Sequence, residues 1–152
     1  MQGKTGARKD PSLVAFFKIE IDGMQGDNTF SRCVGLKSET QVFEYREGGL
    51  NEQVHKLLGP TSHSNVILTQ GHVSDPAMHK WFDEITNGSS KAINRRNGAI
   101  VALAADGKTE VDRWDFVGAN IVRWEHSDHD ANSHEVATET VELAVQKLTH
   151  SR

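Results

Sequence analysis

Only one segment of this sequence has apolar residues at the spacing of an α-helix. Its apolar positions recur three or four residues apart, and they are Met78, Trp81, Phe82 and Ile85. Asp75 is the predicted N-cap, Pro76 fits the first helical position, and Gly88 ends the pattern. A chain of 152 residues with one short helix must build most of its structure from strands.

Strand-like patterns precede and follow this helix. Phe17, Ile19 and Ile21 alternate with charged residues, which is the period of a half-buried strand. Further strands are predicted at residues 30–36, 38–45, 65–70, 99–104, 110–117, 119–124 and 136–148. Asn97-Gly98 and Asp106-Gly107 are predicted hairpin turns. Seven or eight strands and one helix predict a mainly β fold, an antiparallel sandwich or barrel with the helix packed at one side or end.

Residues 46–60 interrupt the strand pattern and are predicted to form a long loop. Gly48, Gly49, Gly59 and Pro60 break the periodicity. The same segment holds four apolar residues, Leu50, Val54, Leu57 and Leu58. Two interpretations stay open: these side chains fold back on their own core, or they contact another subunit.

Length and charge exclude several classes of protein. A chain of 152 residues is expected to form one domain, and no repeat or linker divides it. The net charge is −4 and the 17 Lys and Arg are scattered, which argues against tight nucleic-acid binding. Residues 1–11 lead into no apolar run of membrane-spanning length, so synthesis in the cytoplasm without a membrane anchor is expected.

Cysteine content limits the covalent and metal chemistry. Cys33 is the single Cys, which excludes an internal disulfide framework and a Cys-based zinc site. We expect this thiol to be buried or neutral, and we predict no cofactor.

The densest group of metal-ligand types is a polar loop containing His126, Asp128, His129, Asp130 and His134. Neighbouring residues on one loop rarely converge on a metal without supporting groups, so a solvated loop is favoured. A small metal-binding module or enzyme that uses the loop from His126 to His134 stays as an alternative. His72, Ser74 and Asp75 could suggest a catalytic triad, but no nucleophile-elbow pattern surrounds the Ser. No catalytic, cofactor or metal residue is predicted.

Four blocks follow one another along the sequence. They are the amphipathic opening strand with residues 30–36; residues 44–49 with Asn51 and residues 56–59; residues 65–71 leading into the helix; and residues 113–116 continuing through Ala119 and Trp124 to Asn132, 135–137 and 139–144. Together they cover about residues 16–148, and their order and spacing resemble the tail tube family of contractile phages and extracellular contractile injection systems. Gln70 departs from the basic residue that relatives usually carry, and Ile121 stands where relatives often have Pro. The resemblance fits both a tube of a virus and a tube of a toxin-delivering particle, and the sequence does not choose between them.

The resemblance implies a structural subunit that is not an enzyme, with an N-terminal extension at residues 1–15 and a tail-tube domain at residues 16–149. It implies six-membered rings stacked into a hollow tube inside a contractile sheath. The implied partners are other copies of the chain, the sheath protein, baseplate and terminator proteins, and DNA or effector cargo held in the lumen without sequence-specific binding. The implied place of synthesis is the bacterial cytoplasm, and the implied final location is a phage tail or an extracellular or cytoplasmic contractile injection particle.

The resemblance also implies where rings meet. The expected inter-ring contact residues are Arg46, Glu47, Leu50, Asn51, Val54 and Leu57, acting together with the N-terminal segment. A related ring protein that initiates or caps the tube is a second alternative, since such proteins share the subunit fold.

Overall fold

The computed structural model describes residues 13–26, 28–49, 53–71, 76–87, 95–128, 131–132 and 134–151. These residues form ten strands and one helix: β1 Phe16–Ile21, β2 Asn28–Phe30, β3 Arg32–Val34, β4 Ser38–Tyr45, β5 His55–His63, β6 Val66–Gly71, α1 Pro76–Asn87, β7 Arg96–Leu103, β8 Glu110–His126, β9 Thr138–Ala144 and β10 Lys147–Ser151. The predicted mainly β fold with one helix is confirmed.

The main sheet is antiparallel and nearly closes on itself. Its order is β2-β1-β7-β8-β9-β6-β3, with β10 added beside β8. The strands at its two ends, β2 and β3, are consecutive in the chain and only Ser31 separates them. The Ser31 amide donates to the Thr69 carbonyl of β6 at 2.9 Å. The predicted single strand over residues 30–36 is therefore wrong, because the chain leaves β1 and joins β6 at this point.

The 17-residue strand β8 links the two halves of the sheet. Its first half pairs with β10 and its second half with β9. Gly118 lies between the halves with φ +66°, and a Cβ there would lie 2.4 Å from Oε1 of Gln146. The separate strands predicted at 110–117 and 119–124 are thus one strand. The single strand predicted at 136–148 is two, because the chain shifts along β8 near Gln146.

The core lies between the sheet and helix α1. The predicted helix is confirmed: Met78 and Trp81 are buried, while Phe82 and Ile85 pack against the core from its margin. The largest buried strand side chains around Trp81 include Phe30, Phe116, Ile19, Leu68 and Leu143. One face of α1 therefore covers the sheet, as the spacing of its apolar residues predicts.

The two dipeptides predicted as turns have different structures. Asp106 does cap a turn between β7 and β8: its Oδ1 accepts from the amides of Lys108 and Thr109, both at 2.9 Å. The Asn97-Gly98 prediction is wrong, because both residues lie within β7. Gly98 pairs with Ile21 on one side, and a Cβ there would lie 2.1 Å from the Glu20 carbonyl oxygen. Close approach of β1, and not a turn, requires this glycine.

Candidate assembly surface

Strands β4 and β5 form a separate two-stranded sheet, the β4–β5 hairpin. The prediction of a loop over residues 46–60 is wrong, since β5 begins at His55 within it. Pro60 is tolerated because β5 pairs with β4 alone, and its other edge needs no amide donor. The ladder is also irregular opposite this point, between Thr40 and Val42.

The hairpin is exposed along its length. Every one of the eight residues of β4 is exposed. The large apolar side chains are far from buried: Val42 is 51% exposed, Phe43 55%, Tyr45 55%, Leu57 57% and Leu58 79%. Of the two interpretations left open by the sequence, folding back on the core is therefore wrong for Leu57 and Leu58.

Both faces of the hairpin carry exposed apolar side chains. Phe43 lies opposite Leu57 and Tyr45 opposite His55, so these side chains share one face. Val42 lies opposite Leu58 on the other face. The Phe43 ring also covers Gly59, where an added Cβ would lie 2.5 Å from Cε2 of the ring. An isolated two-stranded hairpin is marginal in water, so two uncovered apolar faces favour contact with other molecules.

Hydrogen bonds between side chains tie the two strands together at the base of the hairpin. Ser38 Oγ and His63 Nδ1 are 2.7 Å apart, and the hydroxyls of Thr40 and Thr61 are 2.8 Å apart. These hydrogen bonds fix the register of β4 against β5 at residues 38–40 and 61–63. The end of the hairpin that carries Phe43, Tyr45 and Leu57 therefore starts from an ordered base.

Four of the six predicted contact residues lie at the far end of this hairpin. Arg46 and Glu47 follow β4 and are exposed, Val54 precedes β5 and is 40% exposed, and Leu57 lies within β5. Leu50 and Asn51 lie outside the described residues. The sequence reasoning missed three exposed apolar residues of β4, Val42, Phe43 and Tyr45. It named Leu58 as an apolar residue of the segment but left it out of the predicted contact residues. The adjacent apolar pair Val42-Phe43 was the available signal, since neighbours in a strand point to opposite faces.

The described part of the His-rich loop, residues 126–128, 131–132 and 134, brings no set of metal ligands together. The Trp124 Nε1–H donates to Nε2 of His126 at 2.9 Å, and His126 Nδ1 lies 3.4 Å from Oε1 of the buried Glu139. Both ring nitrogens of His126 are thus engaged within the fold. No group of three or more His, Cys, Asp or Glu suited to a metal occurs among the described residues. His129 and Asp130 lie outside these residues, as do the triad candidates His72, Ser74 and Asp75.

A profile of the family described as T4-like virus tail tube protein gp19 matches residues 14–149. The chain belongs to the tail tube family. It is a structural tube subunit, as the order of its sequence blocks predicted. A search of curated proteins gives no match. In the part of the chain that the structure describes, no helix is long and apolar enough to cross a membrane.

Solved structures show the tail tube fold in related particles. A chain in the structure of the anti-feeding prophage (AFP) baseplate, 6-fold symmetrised, is 25% identical with a TM-score of 0.71, covering 90% of this chain and 91% of that one. A chain in the extended sheath-tube complex of an extracellular contractile injection system, PVC, is 18% identical with a TM-score of 0.76, covering 95% and 93%. Hcp1 from Flavobacterium johnsoniae is 13% identical with a TM-score of 0.52, covering 90% and 94%.

Proposed function

We propose that copies of this chain assemble into six-membered rings, and that these rings stack into a hollow tube that conducts DNA or protein effectors. Family membership supports tube formation. The related baseplate structure is six-fold symmetrised and a related chain occurs in a sheath-tube complex, which supports six-fold rings and a contractile sheath around them. Baseplate and terminator proteins are the proposed partners at the two ends, and the chain catalyses no reaction.

We further propose that the β4–β5 hairpin makes the contact between rings. The observation that carries this proposal is the exposure of apolar side chains on both of its faces. Arg46, Glu47, Val54 and Leu57 contribute from its far end. We include Leu50, Asn51 and the extension at residues 1–15, which precedes the domain at residues 16–149, in the same proposed contact. A hairpin with two apolar faces fits between two surfaces of neighbouring copies.

Repetition around a ring makes such a contact strong. Covering the exposed half of one Leu or Phe side chain contributes about 1 kcal/mol to association, so one hairpin contributes only a few kcal/mol. Association costs about 4–15 kcal/mol in lost rotational and translational freedom. Six hairpins docking at once incur this cost only once per ring, and the interaction then exceeds any single contact.

The charge of the chain suits a conduit. A net charge of −4, with the 17 Lys and Arg scattered along the sequence, offers little attraction to a passing nucleic acid. Cargo would then move along the lumen without sequence-specific binding.

Negative-stain electron microscopy of the purified full chain tests the proposal. We expect rings and hollow tubes of uniform bore. The double variant Val54→Asp, Leu57→Asp places two charges at the ring-to-ring contact, so it should keep rings and lose long tubes. Val136→Asp is the matched control, because Val136 is 76% exposed outside the hairpin, and it should form tubes of wild-type length.

Other outcomes of the same experiment point elsewhere. A wild-type chain that stays monomeric at high concentration contradicts tube assembly. Tubes of normal length from the double variant contradict the role of the hairpin. Single wild-type rings that never stack would identify an initiator or cap ring.

A further inference from the structure

A cavity of about 230 Å³ lies between helix α1, the turn after β1 and the start of β7. Met24 of the turn lines one side, Lys80, Trp81 and Glu84 of the helix line another, and Arg96 of β7 completes the wall. The cavity lies at the margin of the core, away from the β4–β5 hairpin in the sheet topology. Any ligand bound there would contact residues that the proposed ring contact does not use.

Two residues that line the cavity each carry a buried N–H group without a hydrogen-bond acceptor among the described residues. The two groups are Nε1 of Trp81 and Nε of Arg96. Trp81 is only 1% exposed, so water does not compensate its indole N–H at the surface. Buried donors without partners are rare in native proteins, and each one calls for a physical explanation.

Arg96 is held by long contacts. Its Nη1 lies 3.5 Å from the Asp22 carbonyl oxygen and its Nη2 lies 3.6 Å from Oε2 of Glu84. Its guanidinium carbon is 5.8 Å from the centroid of the Trp81 ring. Contacts of this length restrain the side chain weakly, so a rotation of its stem can turn Nε toward an acceptor and uncover the indole below.

The chemistry of the wall selects the ligand. Lys80 and Arg96 bring two positive charges against the one negative charge of Glu84. The Nε and Nη2 edge of a guanidinium matches the two oxygens of a carboxylate. We propose that this cavity binds a carboxylate, with Arg96 Nε and Trp81 Nε1 as its hydrogen-bond donors. The bound carboxylate belongs either to a small free molecule or to an Asp or Glu side chain of a second copy of the chain.

The test uses ¹⁵N–¹H NMR of the full chain, diluted until it is unassembled. Sodium acetate should shift the Trp81 indole and Arg96 Nε signals with saturation, whereas sodium chloride at equal ionic strength should not. Trp81→Phe identifies the indole signal. Arg96→Gln should weaken acetate binding at least about tenfold, the loss expected for one charged hydrogen bond. Lys80→Gln should weaken it less and serves as the test variant if Arg96→Gln does not fold.

The arms of the experiment separate the two sources. If the Trp81 signal moves with protein concentration in the absence of acetate, and acetate reverses the movement, the carboxylate belongs to a second copy. A saturable acetate shift that is independent of protein concentration assigns a small carboxylate. Equal shifts in acetate and chloride, or no saturation, overturn the proposal and leave the cavity to water alone. None of these results depends on tube formation, so failure here is distinct from failure of the proposed function.

Discussion

Phe43 lies directly opposite Leu57 in the β4–β5 hairpin, and the two side chains are 55% and 57% exposed. Side chains that face each other across an antiparallel pair stabilise the pair through contact with each other. Here that contact leaves the outer surface of both side chains in water. The hairpin therefore exposes apolar surface to water, which is unfavourable. A neighbouring molecule that covers this surface removes the unfavourable contact with water.

The opposite face of the hairpin should matter as much as the face of Phe43. Val42→Asp and Leu58→Asp should each shorten tubes or abolish them, because each puts a charge where an apolar surface is covered. The free energy of unfolding of the monomer should change by less than about 0.5 kcal/mol, since both positions are exposed. Tube length by electron microscopy and urea unfolding measure the two effects.

Glu44→Gln is the control for this prediction. Glu44 lies opposite Lys56 on the same face as Val42, and the substitution keeps its size and polarity. Its tubes should reach wild-type length. Full-length tubes from Leu58→Asp would show that this face stays uncovered in the assembly.

Gly98→Ala should destabilise the fold strongly. The added Cβ would lie 2.1 Å from the Glu20 carbonyl oxygen and 2.8 Å from Cζ of Phe116, so the backbones of β1 and β7 must separate. We expect a loss of about 3 kcal/mol in the free energy of unfolding. Gly48→Ala is the matched control, because a Cβ there meets nothing within 4 Å. Equal urea midpoints for the two variants would contradict the close approach of these strands.

Asp106 should contribute a pH-dependent stability below pH 4. Its pKa is lowered from 3.8 to about 2, first by the hydrogen bond from the Thr109 hydroxyl and then by the amides of Thr109 and Lys108. Because the folded state binds this proton more weakly than the unfolded state, the contribution is full above pH 3.8 and is lost as the pH falls to about 2. Carbon-13 NMR of the Asp106 carboxyl should give the low pKa directly.

Asp106→Asn tests whether the lowered pKa of Asp106 contributes to the pH dependence of stability. Its stability should fall less steeply between pH 4 and pH 2 than that of the wild type, because one shifted carboxyl is gone. Thr109→Val should raise the pKa of Asp106 toward its ordinary value. An unchanged pKa in that variant would show that the hydroxyl has no part in the shift.

Cys33 should react slowly with thiol reagents in the folded chain. Partial burial raises the pKa of this thiol from 9.0 to about 12, so the thiol stays protonated at neutral pH. The fraction of reactive thiolate at pH 8 then falls roughly a thousandfold. A disulfide reagent should label the folded chain at least about a hundredfold more slowly than the urea-unfolded chain. Equal labelling rates in the two states would contradict this prediction, and Cys33→Ser gives the blank because the chain has one Cys.

Local patterns determined the elements whose cause lies within a few residues. Pro76 and the apolar stripe through Trp81 specify α1, alternation specifies β1, and Asp106 caps its own turn. The order and spacing of four sequence blocks were enough to identify the family. Each of these signals depends on neighbouring residues, so each is readable before any tertiary contact is known.

Tertiary structure decided the elements whose partner is distant in the sequence. Asn97-Gly98 has the composition of a turn, yet pairing with β1 and β8 on both sides keeps it in a strand. Residues 55–60 look like a loop because of Gly59 and Pro60, but β4 supplies a strand partner and the open edge of β5 accepts the Pro. Leu57 and Leu58 are exposed because β4 and β5 form a sheet of their own, separate from the main sheet, and the sequence did not show this separation. Composition specifies what a segment prefers locally, whereas pairing and burial depend on which distant strand packs against it.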